Sequence, residues 1–166
     1  MSIRPLRPDD AAELAALYAA NRSFLAPFEP VRPEPFFTAE GQRARIEQRA
    51  AEGIHQFAIL DGDAIAGTLN LSNVRGDDFQ SGTIGYWVDG ARNGRGLGTA
   101  AVAGVIEYAF GELGLHRLEA ATLVDNLASQ RVLERNGFER IGLARRYLRI
   151  DGEWRDHVLF QRIAED

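Results

Sequence analysis

The chain has 166 residues, 45% hydrophobic and 26% charged, which is enough to enclose a core within one soluble domain. No apolar run approaches the roughly 20 residues of a membrane span, and none follows the N-terminal arginines, so neither membrane anchor nor signal peptide is expected and the cytoplasm is the expected location. A net charge of −5 argues against nucleic acid as the main ligand and leaves room for a basic protein or an amine.

Taken in order, Ile3 to Arg7 reads as a short first strand. Asp10-Ala-Ala-Glu13 has the form of a capping box, and Leu14, Leu17 and Tyr18 share one helical face, which predicts a helix over about residues 10 to 20. From Asn21 to Phe37, Pro27, Pro30, Pro33 and Pro35 are interspersed with Phe24, Phe28, Phe36 and Phe37. The prolines keep this stretch out of regular structure, yet it has too many aromatics for a solvated linker. It is expected to pack on the body and line a pocket. Thr38 can cap a helix over Ala39 to Glu52, which Gly53 ends. Gln56 to Leu60 and Ala64 to Asn73 read as strands joined by the turn Asp61-Gly62-Asp63. Gly76-Asp77-Asp78 leads to a strand at Thr83 to Val88, a glycine-rich loop and a helix over Thr99 to Leu113. A strand at Arg117 to Val124 and a helix from Leu127 to Asn136, stopped by Gly137, come next. Strands Glu139 to Ile150 and Arg155 to Ile163 close the chain around the turn Asp151-Gly152. The order β-α-α-β-β-β-α-β-α-β-β has no internal repeat and no visible boundary. It implies one α+β domain over residues 1–166, a mixed sheet with helices on both faces.

The chemistry concentrates between Thr83 and Ala101. Gly94, Gly96 and Gly98 alternate with larger residues, so several backbone N–H groups can converge with no Cβ atoms in the way. The helix behind them adds its unpaired amides and the positive end of its dipole. Together these describe a phosphate site; an ordinary flexible loop is the plainer reading of three spaced glycines. All 19 basic residues are arginine, which excludes the Gly-Lys-Ser/Thr loop of nucleotide triphosphatases and lysine Schiff-base chemistry. The chain has no cysteine, which excludes disulfides, thiolate metal sites and a cysteine acyl-enzyme. His55, His116 and His157 have no metal-ligand spacing, and no metal is expected.

Two motifs give the chain a family resemblance. Asn93-Gly-Arg-Gly96-Leu-Gly98 resembles the Gln/Arg-x-x-Gly-x-Gly/Ala motif of the GNAT-type N-acetyltransferases, which transfer acetyl from acetyl-CoA to an amine. The first position departs from that pattern, and Arg92 or Arg95 is the expected substitute contact. Asn126-Leu-Ala-Ser129, with Arg135-Asn136-Gly137-Phe138 at the end of the same helix, resembles the second motif. Both stand in the family's order and spacing, so the resemblance covers essentially the whole chain. Asn21 to Pro30, Leu71 to Gly76 and Tyr147 to His157 are similar to the ribosomal-protein N-terminal acetyltransferases, above all the alanine-specific type.

The resemblance implies a GNAT-like, mainly antiparallel sheet of about seven strands, splayed between the fourth and fifth. The gap would hold the pantetheine arm of acetyl-CoA, with backbone groups of Trp87 and Val88 bonding it like an added strand. Asn93, Gly94, Arg95, Gly96, Leu97, Gly98 and Thr99 would hold the pyrophosphate. A backbone N–H near Trp87 would face the thioester oxygen, a contribution of about 3 kcal/mol per donor in oxyanion sites. The side chains of Tyr86 and Trp87 are expected only to pack. Ser129 is the candidate acid for the departing thiolate, against the alternative of a local hydrogen bond at the helix end. Asn126 is expected as the helix N-cap and as a CoA contact.

A general base is harder to find. No Asp or Glu lies between Thr83 and Val88, where many relatives have one, and Leu148 stands where some serine-type relatives have glutamate. Glu29 is the remaining catalytic carboxylate, acting directly or through water; a solvated loop charge is the alternative. An α-amine with pKa near 7.7–8.0 is already roughly a quarter neutral at about pH 7.4, against roughly one part in a thousand for lysine. The missing base therefore suits an N-terminal amine. Arg22, Asn70, Asn73 and Arg75 lie in segments expected to border the acceptor.

The expectation is acetyl transfer by direct attack in a ternary complex. The acceptor is a protein N-terminus, or else a small amine such as an antibiotic, polyamine or amino acid. A second copy of the chain is an optional partner, and neither membrane nor nucleic acid is required. A CoA-binding regulator without turnover is the reading from another class. A dinucleotide-binding oxidoreductase, suggested by Gly96-Leu-Gly98-Thr-Ala-Ala101, fails on context. The loop follows the fourth strand instead of opening a βαβ unit, and no acidic residue ends a strand about 20 residues on.

Overall fold

A computed structural model describes residues 2–165. Seven strands form one sheet in the order β1-β2-β3-β4-β5-β7-β6. They are β1 (Ile3–Pro5), β2 (His55–Asp61), β3 (Ala64–Arg75), β4 (Ser81–Val88), β5 (Arg117–Leu123), β6 (Glu139–Ile150) and β7 (Glu153–Ile163). Neighbours are antiparallel except β4 and β5, which run parallel. One face packs against α1 (Ala11–Ala20), α2 (Arg22–Leu25) and α3 (Ala39–Ala51), the other against α4 (Leu97–Glu107) and α5 (Leu127–Arg135). This is the GNAT-like α+β sheet expected from the resemblance.

Strand alternation distributes the side chains between two cores. On β4, Ile84, Tyr86 and Val88 pack beneath α4 and α5, where Val102, Val105 and Leu133 are fully buried. Trp87, between them in sequence, points to the opposite face and joins Leu14, Tyr18 and Ile46. One strand thus supplies residues to both sides of the sheet at the same level.

Several local devices match the sequence and others do not. Thr38 caps α3, its hydroxyl accepting from the Gly41 amide at 3.1 Å. The capping box expected at Asp10 and Glu13 is not formed. Asp10 instead accepts from the Arg7 amide at 2.7 Å and binds both terminal nitrogens of Arg4, closing a 3-10 turn over Pro8–Asp10. Glu13 accepts the Ile65 amide at 2.7 Å and ties α1 to β3. Tertiary donors outcompeted the helix end for both carboxylates.

The proline-rich stretch is more ordered than expected, containing α2 and 3-10 turns at Ala26–Phe28 and Glu34–Phe37. Proline costs nothing in the first turn of a helix, where an amide has no partner to lose. The helix expected from Thr99 starts at Leu97 and finishes in a π-helical turn at Tyr108–Glu112.

Candidate active site

Strands β4 and β5 pair only over Ser81–Thr83 and Arg117–Glu119, then part. Beyond that point β4 is bonded to β3 alone. The Asp89 amide donates to the Ala66 carbonyl at 2.7 Å, and bonded and non-bonded pairs alternate along an antiparallel ladder. Thr68 and Trp87, two steps along the same register, are therefore a bonded pair. Tyr86 and Val88 turn their N–H and C=O groups toward the gap. This corrects the role expected of the Trp87 backbone, which β3 occupies. Its carbonyl comes so close to Gly67 that a Cβ there would lie 2.1 Å from the oxygen.

At the mouth of the gap, Gly94 and Gly96 both have φ of +78°. Nothing lies within 4 Å of where either Cβ would stand, so the left-handed turn, not lack of room, calls for glycine. Gly96 is the N-cap of α4, and the Ala100 amide makes the first helical bond, to the Gly96 carbonyl at 3.0 Å. The amides of Leu97, Gly98 and Thr99 precede that bond and have no helical acceptor. Arg92 and Arg95, expected to replace the motif's first polar contact, instead reach Asp61 at the end of β2, Arg92 at 3.4 Å.

The second motif builds the facing wall. The Asn126 side-chain oxygen caps α5, accepting from the Ser129 amide at 3.1 Å. At the far end, Asn136 Nδ2 donates to the Thr99 carbonyl at 3.2 Å and to the Val132 carbonyl at 2.9 Å, tying α5 to the start of α4. Ser129 Oγ then lies 2.9 Å from Tyr86 Oη, which is also 3.2 Å from the Ser129 carbonyl. Burial pushes the Tyr86 phenol up to about 12, so it is a neutral hydroxyl at physiological pH. Tyr86 was expected only to pack, and this contact shows more. Trp87 does pack: its indole N–H donates to Tyr18 Oη at 2.9 Å, with the rings 4.6 Å apart.

These residues enclose one cleft of about 460 Å³, bordered by Trp87, Val88, Asn93, Gly94, Gly96, Leu97, Gly98, Thr99, Asn126 and Ser129. Phe24, Leu25 and Phe28 of the proline-rich segment close its other side, as that segment's aromatics suggested. Arg131 and Arg135 also border it. Neither was expected at the cleft from the sequence, although their one-turn spacing on α5 puts both on the face shared with Ala128 and Val132. Glu29 lies elsewhere. It borders a smaller pocket of about 130 Å³ that meets the cleft at Leu25, with its carboxylate 3.5 Å from Arg32 Nε. Arg22 borders the same pocket and is paired with Glu34 at 2.5 Å. His55 shares a hydrogen bond with Tyr108 Oη at 2.9 Å, and His157 is buried. Among the described residues, no three His, Cys, Asp or Glu side chains are grouped to hold a metal.

A sheet parted at its one parallel pair, with unpaired amides at a helix start beside the parting, places the protein among acyl-group transferases. Residues 1–139 match the acetyltransferase (GNAT) domain, and the chain belongs to that family as an acetyl-CoA-dependent N-acetyltransferase. It is 41% identical over 170 residues to the probable N-acetyltransferase YjcK of Bacillus subtilis (strain 168), covering 99% of this chain and 94% of that one. It is 38% identical over 163 residues to the [ribosomal protein uS5]-alanine N-acetyltransferase of Escherichia coli (strain K12), covering 95% and 84%. The structure of Mycobacterium smegmatis RimJ in complex with CoA-disulfide superposes with a TM-score of 0.93, at 34% identity over 98% of this chain and 81% of that one.

Proposed function

We propose that this enzyme acetylates the N-terminal α-amine of a protein, with alanine favoured as the first residue and a cytoplasmic ribosomal protein as the acceptor. The observation that carries this reading is the cleft's lack of carboxylates: among the described residues, no Asp or Glu borders it. An amine that must be deprotonated beside the thioester is poorly served there, whereas an α-amine is already partly neutral. The name of the Escherichia coli relative agrees with that acceptor class.

Acetyl-CoA fits the residues present. The amides of Leu97, Gly98 and Thr99, with Arg131 and Arg135, offer donors and positive charge to the phosphates. Asn93, Gly94 and Gly96 shape the turn around them. The free edge at Tyr86 and Val88 can pair with the amides of the pantetheine arm as an added strand would. On this geometry the Val88 amide replaces Trp87 as the donor to the thioester oxygen. Ser129 Oγ donates to the sulfur as it leaves, and Tyr86 Oη fixes the direction of that hydroxyl. Asn126 holds Ser129 in place by capping its helix. Glu29 accepts the amine's proton through water, from the neighbouring pocket.

The reaction proceeds by direct attack with both substrates bound; a cysteine acyl-enzyme is excluded because the chain contains no cysteine. Holding the amine against the carbonyl supplies much of the rate. Thiol release from acetyl-CoA, followed with a panel of N-terminal peptides and small amines, tests the reading. Alanine-initiated peptides should give the highest kcat/KM. Preference for a polyamine, antibiotic or free amino acid would replace the peptide reading, and bound acetyl-CoA that never turns over with any acceptor would refute it.

A further inference from the structure

The turn that carries Gly94 and Gly96 is held by very little of its own backbone. Both glycines take φ of +78°, and nothing lies within 4 Å of where either Cβ would stand, so neither position is wedged against a neighbour. The Asn93 amide donates to the Gly90 carbonyl at 3.4 Å, and the Ala100 amide to the Gly96 carbonyl at 3.0 Å. Among the described residues, no backbone amide between those two is bonded. Glycine takes either sign of φ readily, so a turn built this way costs entropy to order.

Two arginines supply an anchor. Arg92 precedes the turn, and Arg95 stands between its two glycines. Both guanidiniums reach the carboxylate of Asp61, Arg92 Nη1 at 3.4 Å. Asp61 closes β2 and is paired with Ala64 across the tight β2–β3 hairpin, so it is a fixed point on the sheet. Arg92 Nε is also 3.3 Å from Asp89, whose carboxylate accepts the Ala91 amide at 3.1 Å. An isolated surface ion pair is worth little, but a network is worth more, and here only 21% of the Asp61 side chain and 13% of that of Asp89 are exposed. Two acids match two arginines, so the network brings no net charge to a phosphate. That charge stands on the facing wall, at Arg131 and Arg135. What Asp61 contributes is shape.

We infer that Asp61 is a positioning residue for acetyl-CoA: through Arg95 and Arg92 it holds the glycine turn in its phosphate-receiving shape before the ligand arrives. Ordering that is complete in the free protein does not subtract from the free energy of binding. The inference rests on the reading of this turn as the diphosphate site and is independent of which amine is acetylated. The opposite role, an acid that repels the diphosphate and keeps Arg95 from it, predicts the reverse change in affinity.

Two measurements on the full chain, neither of which needs an acceptor, test this. Calorimetry gives the CoA affinity of the wild type, Asp61→Asn, Asp61→Glu, Arg95→Gln and the Asp61→Asn, Arg95→Gln double variant. NMR relaxation gives the backbone order parameters of Gly94, Arg95 and Gly96 in the ligand-free proteins. Order parameters of about 0.85 are expected in the wild type, falling below about 0.6 in Asp61→Asn. CoA should bind Asp61→Asn about tenfold more weakly. Asp61→Glu should recover part of both, and the double variant should bind no more weakly than Asp61→Asn, because the two residues act through one contact. Tighter CoA binding by Asp61→Asn would overturn the inference in favour of repulsion. Unchanged order parameters, or a loosened turn that binds CoA as well as the wild type does, would overturn it too. A wild type that binds no CoA would refute the diphosphate reading itself, and the inference with it.

Discussion

Tyr86 Oη and Ser129 Oγ lie 2.9 Å apart, joining the open strand edge to the helix that faces it. The phenol can donate to the serine oxygen, leaving the serine hydrogen free to point into the cleft. If it donates only to the Ser129 carbonyl, 3.2 Å away, the serine hydrogen is drawn back toward Tyr86. The first arrangement is the one that can solvate a departing thiolate.

That coupling predicts a non-additive double-mutant cycle. Ser129→Ala should lower kcat about 10- to 100-fold, and Tyr86→Phe about tenfold, the worth of one orienting hydrogen bond. The double variant should be no slower than Ser129→Ala, because Tyr86 acts through the serine. Steady-state kcat values for the four proteins decide it; independent, multiplying losses would show that the two hydroxyls act separately.

The same burial makes stability fall at high pH. Folded Tyr86 keeps its proton up to about 12, while the unfolded chain releases it near 10.0, so the unfolded state binds fewer protons in between. Stability is therefore lost as pH rises through that window, by about 3 kcal/mol for this group. Urea midpoints at rising pH should separate the wild type from Tyr86→Phe, which lacks this loss. Parallel curves would mean that the phenol is solvated.

Gly67→Ala should damage the cleft from behind. A Cβ on Gly67 would sit 2.1 Å from the Trp87 carbonyl oxygen, so the β4 edge has to move. We expect a loss of about 3 kcal/mol in stability together with weaker CoA binding. Denaturant unfolding and CoA calorimetry check the two effects, and a variant matching wild type in both would show that the strand yields at no cost.

Glu29→Gln tests how far the acceptor depends on a base. If Glu29 removes the amine's proton through water, the variant's kcat/KM should drop several-fold near pH 7 and recover above the α-amine pKa of about 8. A pH-independent loss would assign Glu29 to binding, through Arg32, and not to proton transfer.

The chain order of the elements, the cap at Thr38 and the left-handed turn before α4 were legible because each depends on residues close in sequence. Gly94, Gly96, Asn126 and Ser129 belong to that group: spacing alone places them at a helix start, and the cleft contains all four. The Asp10 and Glu13 carboxylates were misread because their donors come from Arg4, Arg7 and Ile65, and a local pattern says nothing of competition from distant amides.

The sequence by itself determined that β4 exists, that a glycine turn and a helix follow it, and that side chains alternate along it. Only the tertiary structure decided what that alternation means. The register against β3 commits the Trp87 backbone and frees Tyr86 and Val88, and the docking of α5 brings Ser129 to the Tyr86 phenol. A one-residue change of register would exchange those roles without altering a single local preference, since parity is set by the partner strand and not by the strand itself.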